Sequence, residues 1–131
     1  MPKYKTEDLR NFALVGHGST GKTTLAEGLL HAAGATARLG AVDEGTSLLD
    51  FEPDEKERKS SIDLAIAHCS WEGRELNVID TPGYLDFVGE ALSAMQAVET
   101  VLICVDASKG WRSPPASTGR RPATWAWPAP W

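Results

Sequence analysis

The sequence predicts an α/β fold, and three observations carry that prediction. Asn11-Phe12-Ala13-Leu14-Val15 is a short apolar run that ends in Gly16, as a buried parallel strand does. Leu25, Leu29 and Ala33, with Ala26 and Leu30 beside them, then fall on one helical stripe that Gly34 can stop. Val101-Leu102-Ile103-Cys104-Val105 is a second continuous apolar run, suited to the middle of a parallel sheet.

Between these segments the chain follows the same grammar. From Thr36 to Ser61 it is Gly-rich and then charged, with Leu48, Leu49 and Phe51 as its apolar anchors, which predicts a long mobile loop with a short helix around Pro53 to Lys59. Ile62, Leu64 and Ile66 alternate with Asp63, Ala65 and Ala67; Glu72-Gly73 supplies a turn, and Leu76-Asn77-Val78-Ile79 returns as the second arm of a hairpin. Leu85, Val88, Leu92 and Met95 repeat at three and four residues through a second helix.

The 131 residues are 42% hydrophobic and 24% charged, an ordinary globular balance for one domain. No apolar run reaches the roughly 18 residues of a membrane span, and the N-terminus lacks the apolar core of a signal peptide, so a cytoplasmic location is expected. Cys69 and Cys104 sit in apolar stretches without a C-x-x-C or Cys/His cluster and read as reduced core thiols. A net charge of −5 argues against a broad nucleic-acid surface on this segment.

Gly16-His17-Gly18-Ser19-Thr20-Gly21-Lys22-Thr23 satisfies G-x-x-x-x-G-K-[ST] between an apolar strand and an amphipathic helix, where its mechanism requires it. The glycines let the backbone curl so that successive N–H groups face a phosphate chain, and the helix adds its positive end. Lys22 should reach the β/γ oxygens and stabilise charge, and the Thr23 hydroxyl should ligate Mg²⁺. A Gly-rich turn with a chance lysine is the bland alternative, and the flanking strand and helix weigh against it. Asp80-Thr81-Pro82-Gly83 follows the predicted strand directly, which puts a carboxylate at the same sheet edge. An aspartate there can hold Mg²⁺ through water, while the Gly83 N–H can bond a γ-phosphate oxygen. Taken alone, the tetrapeptide is an ordinary turn.

With these motifs in place the sequence resembles the GTP-binding domain of translational GTPases, most closely elongation factor G and its elongation-factor-G-like branch. The likeness runs from Leu9-Arg10-Asn11 through Gly16 to Thr24, then Ser61-Ile62, Cys69-Ser70-Trp71, Leu76 to Gly83, Asp86-Phe87 and Asp106-Ala107, about the first 110 residues. It implies a phosphate-loop G domain, three-layer α/β/α with a mostly parallel sheet. It also implies GTP as substrate, Mg²⁺ as cofactor and the ribosome as the partner of a full-length parent.

Three departures from the family pattern bear on chemistry. Counting back from Trp71 puts Lys59 and Ser61 where the first switch of the family carries glycine and a Mg²⁺-closing threonine, and serine keeps the hydroxyl. Tyr84 stands where the family usually has a histidine that orients the attacking water, and an un-ionised phenol is a poor general base. The family reads guanine through Asn-Lys-x-Asp, and no such motif occurs in these residues.

Residues 111–131 hold four of the five tryptophans and five of the eight prolines without any periodicity, which predicts a disordered tail. Shifted by one base, Gly110-Trp111-Arg112-Ser113 can read Gly-Val-Glu-Val, as family members continue, and the codon pattern of 123–131 can encode a family-like stretch. The expectation is a partial G domain over 1–110, ending after its fourth strand, and a frameshift product over 111–131. Loss of the next strand would leave Val101–Val105 on an open sheet edge.

The remaining signals carry less. His17 lies inside the phosphate loop and is expected to pack or face solvent; His31 and His68 lack a second ligand at metal spacing. Glu52, Asp54, Glu55, Glu57, Arg58 and Lys59 read as a solvated charged face. Asp86 and Glu90 suit the start of a helix through its dipole. Two other functions share the phosphate loop: a nucleotide sensor or remnant without turnover, and a small-molecule kinase, which would want an arginine-rich lid that is not visible.

Overall fold

The computed structural model describes residues 4–50, 52–58 and 61–108. The predicted tail and Lys59 lie outside them. The elements are β1 (Leu9–Gly16), α1 (Lys22–Ala32), α2 (Pro53–Arg58), β2 (Ala65–Trp71), β3 (Arg74–Asp80), α3 (Val88–Ala97) and β4 (Thr100–Cys104), with a 3-10 turn over Leu85–Phe87 before α3. They form one four-stranded sheet in the order β2-β3-β1-β4. β1 runs parallel to β3 and to β4, while β2 is antiparallel to β3. The sheet is therefore mostly parallel, with its one antiparallel strand at an edge.

Alternation along the central strands divides the core between two faces. Leu14 and Val78 join Ala26 and Leu30 of α1, with Leu49 and Cys69, on one side. Ala13 and Ile79, opposite each other in the β1–β3 register, meet Ala94 of α3 on the other. This is the three-layer arrangement expected. Leu14 is fully buried, and its truncation to alanine should cost about 2–5 kcal/mol, the range for large-to-small core changes.

The helices turn slightly from the faces that periodicity suggests. In α1 the buried apolar line is Ala26 and Leu30, while Leu25 is exposed. In α3 Ala94 is buried, whereas Val88 and Leu92 lie exposed. Gly34 ends α1 as predicted: with φ at 72° it donates to His31 O, and Ala35 donates to Leu30 O, the paired bonds of a left-handed helix stop.

The hairpin forms around Glu72-Gly73, with Trp71 opposite Arg74, but its first arm starts at Ala65 instead of Ile62. The amides of Ile62 and Asp63 donate to Glu55 Oε1 at 2.9 and 3.2 Å and so take a side-chain partner in place of a strand. The same bonds correct the solvated reading at Glu55, which is only 2% exposed, while Glu52 and Asp54 are exposed as expected. The segment predicted as a mobile loop is anchored to the core by Leu49. Among the described residues β4 pairs on one side only, with β1, and Leu102 and Ile103 are exposed, so the run suited to a sheet interior stands at an edge.

Candidate nucleotide site

Parallel pairing brings three strand ends to one edge of the sheet. Leu14 pairs with Asp80 and Gly16 with Cys104, so the loop Gly16–Thr23 leaves β1 beside the carboxylate that ends β3. In open α/β sheets this edge is where ligands bind. The α1 helix begins at Lys22, with Gly21 as its N-cap and no side-chain cap, so its first N–H groups point into the loop and favour an anion.

A cavity of about 260 Å³ opens there, lined by Ser19, Lys22, Thr23, Asp50, Ser61 and Gly83 among others, and Gly21 and Thr24 also border it. The Lys22 side chain is buried, and its Nζ donates to Gly16 O at 3.1 Å and His17 O at 3.0 Å. Burial lowers the ammonium below its usual pKa against the opposing attraction of Asp80 and Cys104. Thr20 Oγ1 donates to His17 O at 2.8 Å and braces the loop. His17 is exposed, with its ring nitrogen on the Gly18 carbonyl, in keeping with a bystander.

Beside the loop, Thr23 Oγ1 donates to Asp80 Oδ2 at 2.6 Å and lies 3.2 Å from Ser61 Oγ, which donates to Asp50 Oδ1 at 2.6 Å. The predicted trio Thr23, Ser61 and Asp80 is thus brought together, and Asp50 joins it. Burial pushes Asp80 up to about 6, partly offset by the Thr23 hydrogen bond and the Lys22 charge. Burial also raises Asp50, against its bond from Ser61, with Glu55 and Glu27 adding to the rise. Asp50 Oδ2 and Asp80 Oδ1 are buried without a hydrogen-bond partner. Two orphaned carboxylate oxygens beside two hydroxyls form an all-oxygen donor set, which suits a hard cation such as Mg²⁺. Among the described residues no cluster of three His, Cys, Asp or Glu side chains offers a closed metal cage.

Gly83 packs directly on the phosphate loop. Gly18 N donates to Gly83 O at 2.9 Å, and a Cβ at Gly83 would run into Gly18 N and Lys22 Nζ. The chain therefore needs glycine there for close approach. Tyr84 is about half exposed, and its ring edge lies over Gly18, 3.3 Å from where a Cβ on that glycine would sit.

Asp50 was not singled out by the sequence, because a lone aspartate after Leu48-Leu49 carries no spacing signal. Glu27 was missed for the same reason: it sits mid-helix, yet it is completely buried.

A strand, a phosphate loop and a helix, with a lysine and an oxygen cluster at the carboxyl edge of a parallel sheet, define a phosphate-loop nucleotide-binding domain. The chain belongs to the family described as the elongation factor Tu GTP binding domain, which it matches over residues 7–123. It is 42% identical over 109 residues to an elongation factor G-like protein of Mycobacterium tuberculosis, a match that covers 83% of this chain and 15% of that protein. Elongation factor G of Thermotoga neapolitana is 38% identical over 104 residues, covering 79% of this chain and 15% of the relative. A crystal structure of a Thermus thermophilus protein superposes with a TM-score of 0.75 at 42% identity, covering 77% of this chain and 15% of that one. The chain thus spans about 15% of the length of these relatives.

Proposed function

We propose that these residues form the phosphate- and Mg²⁺-binding half of a GTPase module in an elongation-factor-G-like translation factor. The observation that carries this reading is a cavity lined by the buried Lys22 together with Thr23, Asp50 and Ser61, with Asp80 bonded to Thr23 and one oxygen of each aspartate left without a partner. Gly18 to Thr23 would wrap the phosphates, with backbone N–H groups and the α1 N-terminus aimed at negative charge. Thr23, Ser61, Asp50 and Asp80 would hold Mg²⁺, which when bound neutralises charge on the β and γ oxygens.

Hydrolysis in the whole protein would be attack by water in line with the leaving diphosphate. Lys22 would stabilise charge on the transferred group. Tyr84 stands at the loop from which a water-orienting side chain acts, and its hydroxyl can place water by a hydrogen bond without taking its proton. The ribosome as partner and a cytoplasmic location follow from membership in this family and belong to the same proposal. A nucleotide sensor without turnover uses the same phosphate contacts and is separated by single-turnover phosphate release.

Titration of the 131-residue chain with Mg²⁺-GDP and Mg²⁺-ADP tests the reading. Because no Asn-Lys-x-Asp occurs in the chain, binding should be weak and differ by less than about threefold between the two bases, whose readout depends on such polar contacts. Lys22→Ala should reduce both affinities by at least about 100-fold, as loss of a buried charged partner to phosphate implies. Binding that survives Lys22→Ala would overturn the assignment.

A further inference from the structure

The completely buried carboxylate of Glu27 lies on α1, one helical turn beyond Thr23 and outside the cavity lining. Its Oε1 accepts three hydrogen bonds from the segment 47–49: Ser47 Oγ at 2.8 Å, Leu48 N at 2.6 Å and Leu49 N at 3.3 Å. Ser47 Oγ in turn accepts from Leu49 N at 3.2 Å and Asp50 N at 3.3 Å, so the turn that presents Asp50 is folded around one hydroxyl held by Glu27. On its other side the carboxylate sits against Gly40, where a Cβ would collide with it. Leu49 anchors the same segment in the core. Asp50 then reaches Ser61, Ser61 reaches Thr23, and Thr23 reaches Asp80.

A mid-helix carboxylate with no salt bridge among the described residues is costly to bury unless several donors compensate it. Here all three donors come from the loop carrying Asp50 and meet Oε1, while Oε2 is buried against Gly40 without a hydrogen-bond partner among the described residues. The expense of burying Glu27 is therefore offset only when that loop is closed.

We propose that Glu27 is a positioning residue for the cation side of the nucleotide site: it closes segment 40–50 onto α1 and so fixes Asp50 beside Thr23 and Ser61. This inference rests on the reading of the cavity as a Mg²⁺-nucleotide site. Glu27 touches neither nucleotide nor metal, so its removal changes how much the metal contributes to binding and leaves the metal-free phosphate contacts of Lys22 and the loop in place.

The test measures the affinity of the 131-residue chain for GDP in Mg²⁺ and in EDTA, with the ratio of the two as the metal advantage. Glu27→Ala should lower that advantage by about tenfold while affinity in EDTA changes less than about twofold, and Glu27→Gln, which keeps an acceptor oxygen, should recover most of it. Asp50→Asn should lower the advantage by a similar factor, and Glu27→Ala in the Asp50→Asn background should add little, since both act through one network. Amide exchange at Leu48, Leu49 and Asp50 should speed up in nucleotide-free Glu27→Ala. If Glu27→Ala does not fold, Ser47→Ala is the reading variant, and an unchanged metal advantage there overturns the proposal. Equal losses with and without Mg²⁺, or fully additive effects of Glu27→Ala and Asp50→Asn, overturn it while the nucleotide-site reading stands. A wild-type affinity that ignores Mg²⁺ overturns both.

Discussion

The Thr23 hydroxyl donates to Asp80 Oδ2 at 2.6 Å, which ties the first turn of α1 to the end of β3 and pre-forms the proposed cation side of the site. Both residues are fixed by elements packed on the same core, so neither has to be ordered by a ligand. Thr23→Ala should lower Mg²⁺-dependent nucleotide affinity by about tenfold and leave the fold intact, because one hydrogen bond to a charged group contributes about 1.5–3 kcal/mol. Thr23→Ser keeps the hydroxyl and should stay near wild type. Calorimetric titration of both variants checks this, and equal behaviour of alanine and serine would remove the hydroxyl from the account.

The raised Asp80 carboxyl gives a pH dependence with a definite sign. Its ordinary value of 3.8 rises to about 6 in the folded chain. The folded state therefore holds this proton more tightly than the unfolded state. The contribution is fully present below pH 4 and is lost as pH rises through about 6. In EDTA without nucleotide, this group should make the chain more stable at pH 5 than at pH 7, by an amount on the order of 1 kcal/mol. Asp80→Asn should flatten that part of the profile. Urea unfolding at a series of pH values measures it, and a wild-type slope of opposite sign in this window that Asp80→Asn leaves unchanged would refute the prediction.

Tyr84 covers Gly18 with its ring, and in the proposed mechanism it contributes to hydrolysis by orienting water. In the full-length parent, Tyr84→His should raise stimulated GTP turnover by at least about tenfold, toward the 10²–10⁴-fold range of a placed acid or base. GTP affinity should change little. Tyr84→Phe should cost only the placement of water. Single-turnover phosphate release reads all three proteins; a histidine variant no faster than wild type would move attention to the first switch around Ser61.

At the β4 edge, Ile103 is 62% exposed and its strand pairs with β1 alone among the described residues. An apolar strand with one open side templates association with other chains. The isolated chain should self-associate at micromolar concentration, and Ile103→Lys should shift it toward monomer without loss of helix or strand content. Sedimentation velocity on the two proteins decides this, and a monomeric wild type with a sharp cooperative melt would contradict it.

The sequence by itself determined the order of strands and helices, the phosphate loop with its lysine and threonine, and the aspartate at the end of β3. Those features are local: a loop must follow its strand and precede its helix within a few residues, and an apolar run announces a buried strand wherever it packs. Likeness to the first switch of a known family also pointed to Ser61, which the structure brings beside Thr23. The helix faces were less legible, since Leu25 and Leu92 of the predicted stripes are exposed while Ala26, Leu30 and Ala94 carry the packing. Small residues allow close approach to the sheet, and hydrophobic periodicity does not weigh size.

Only the tertiary structure decided that Glu55, Asp50 and Glu27 are buried and what each holds. In sequence they are three acidic residues in or near polar segments, indistinguishable from solvated ones. Their partners are backbone amides and hydroxyls of other segments, and such groups are present at every position of every chain. A hydrogen bond to a backbone amide leaves no mark on the residue that supplies it, so these contacts exist only once segments 47–50, 52–55 and 61–63 have packed together and onto α1.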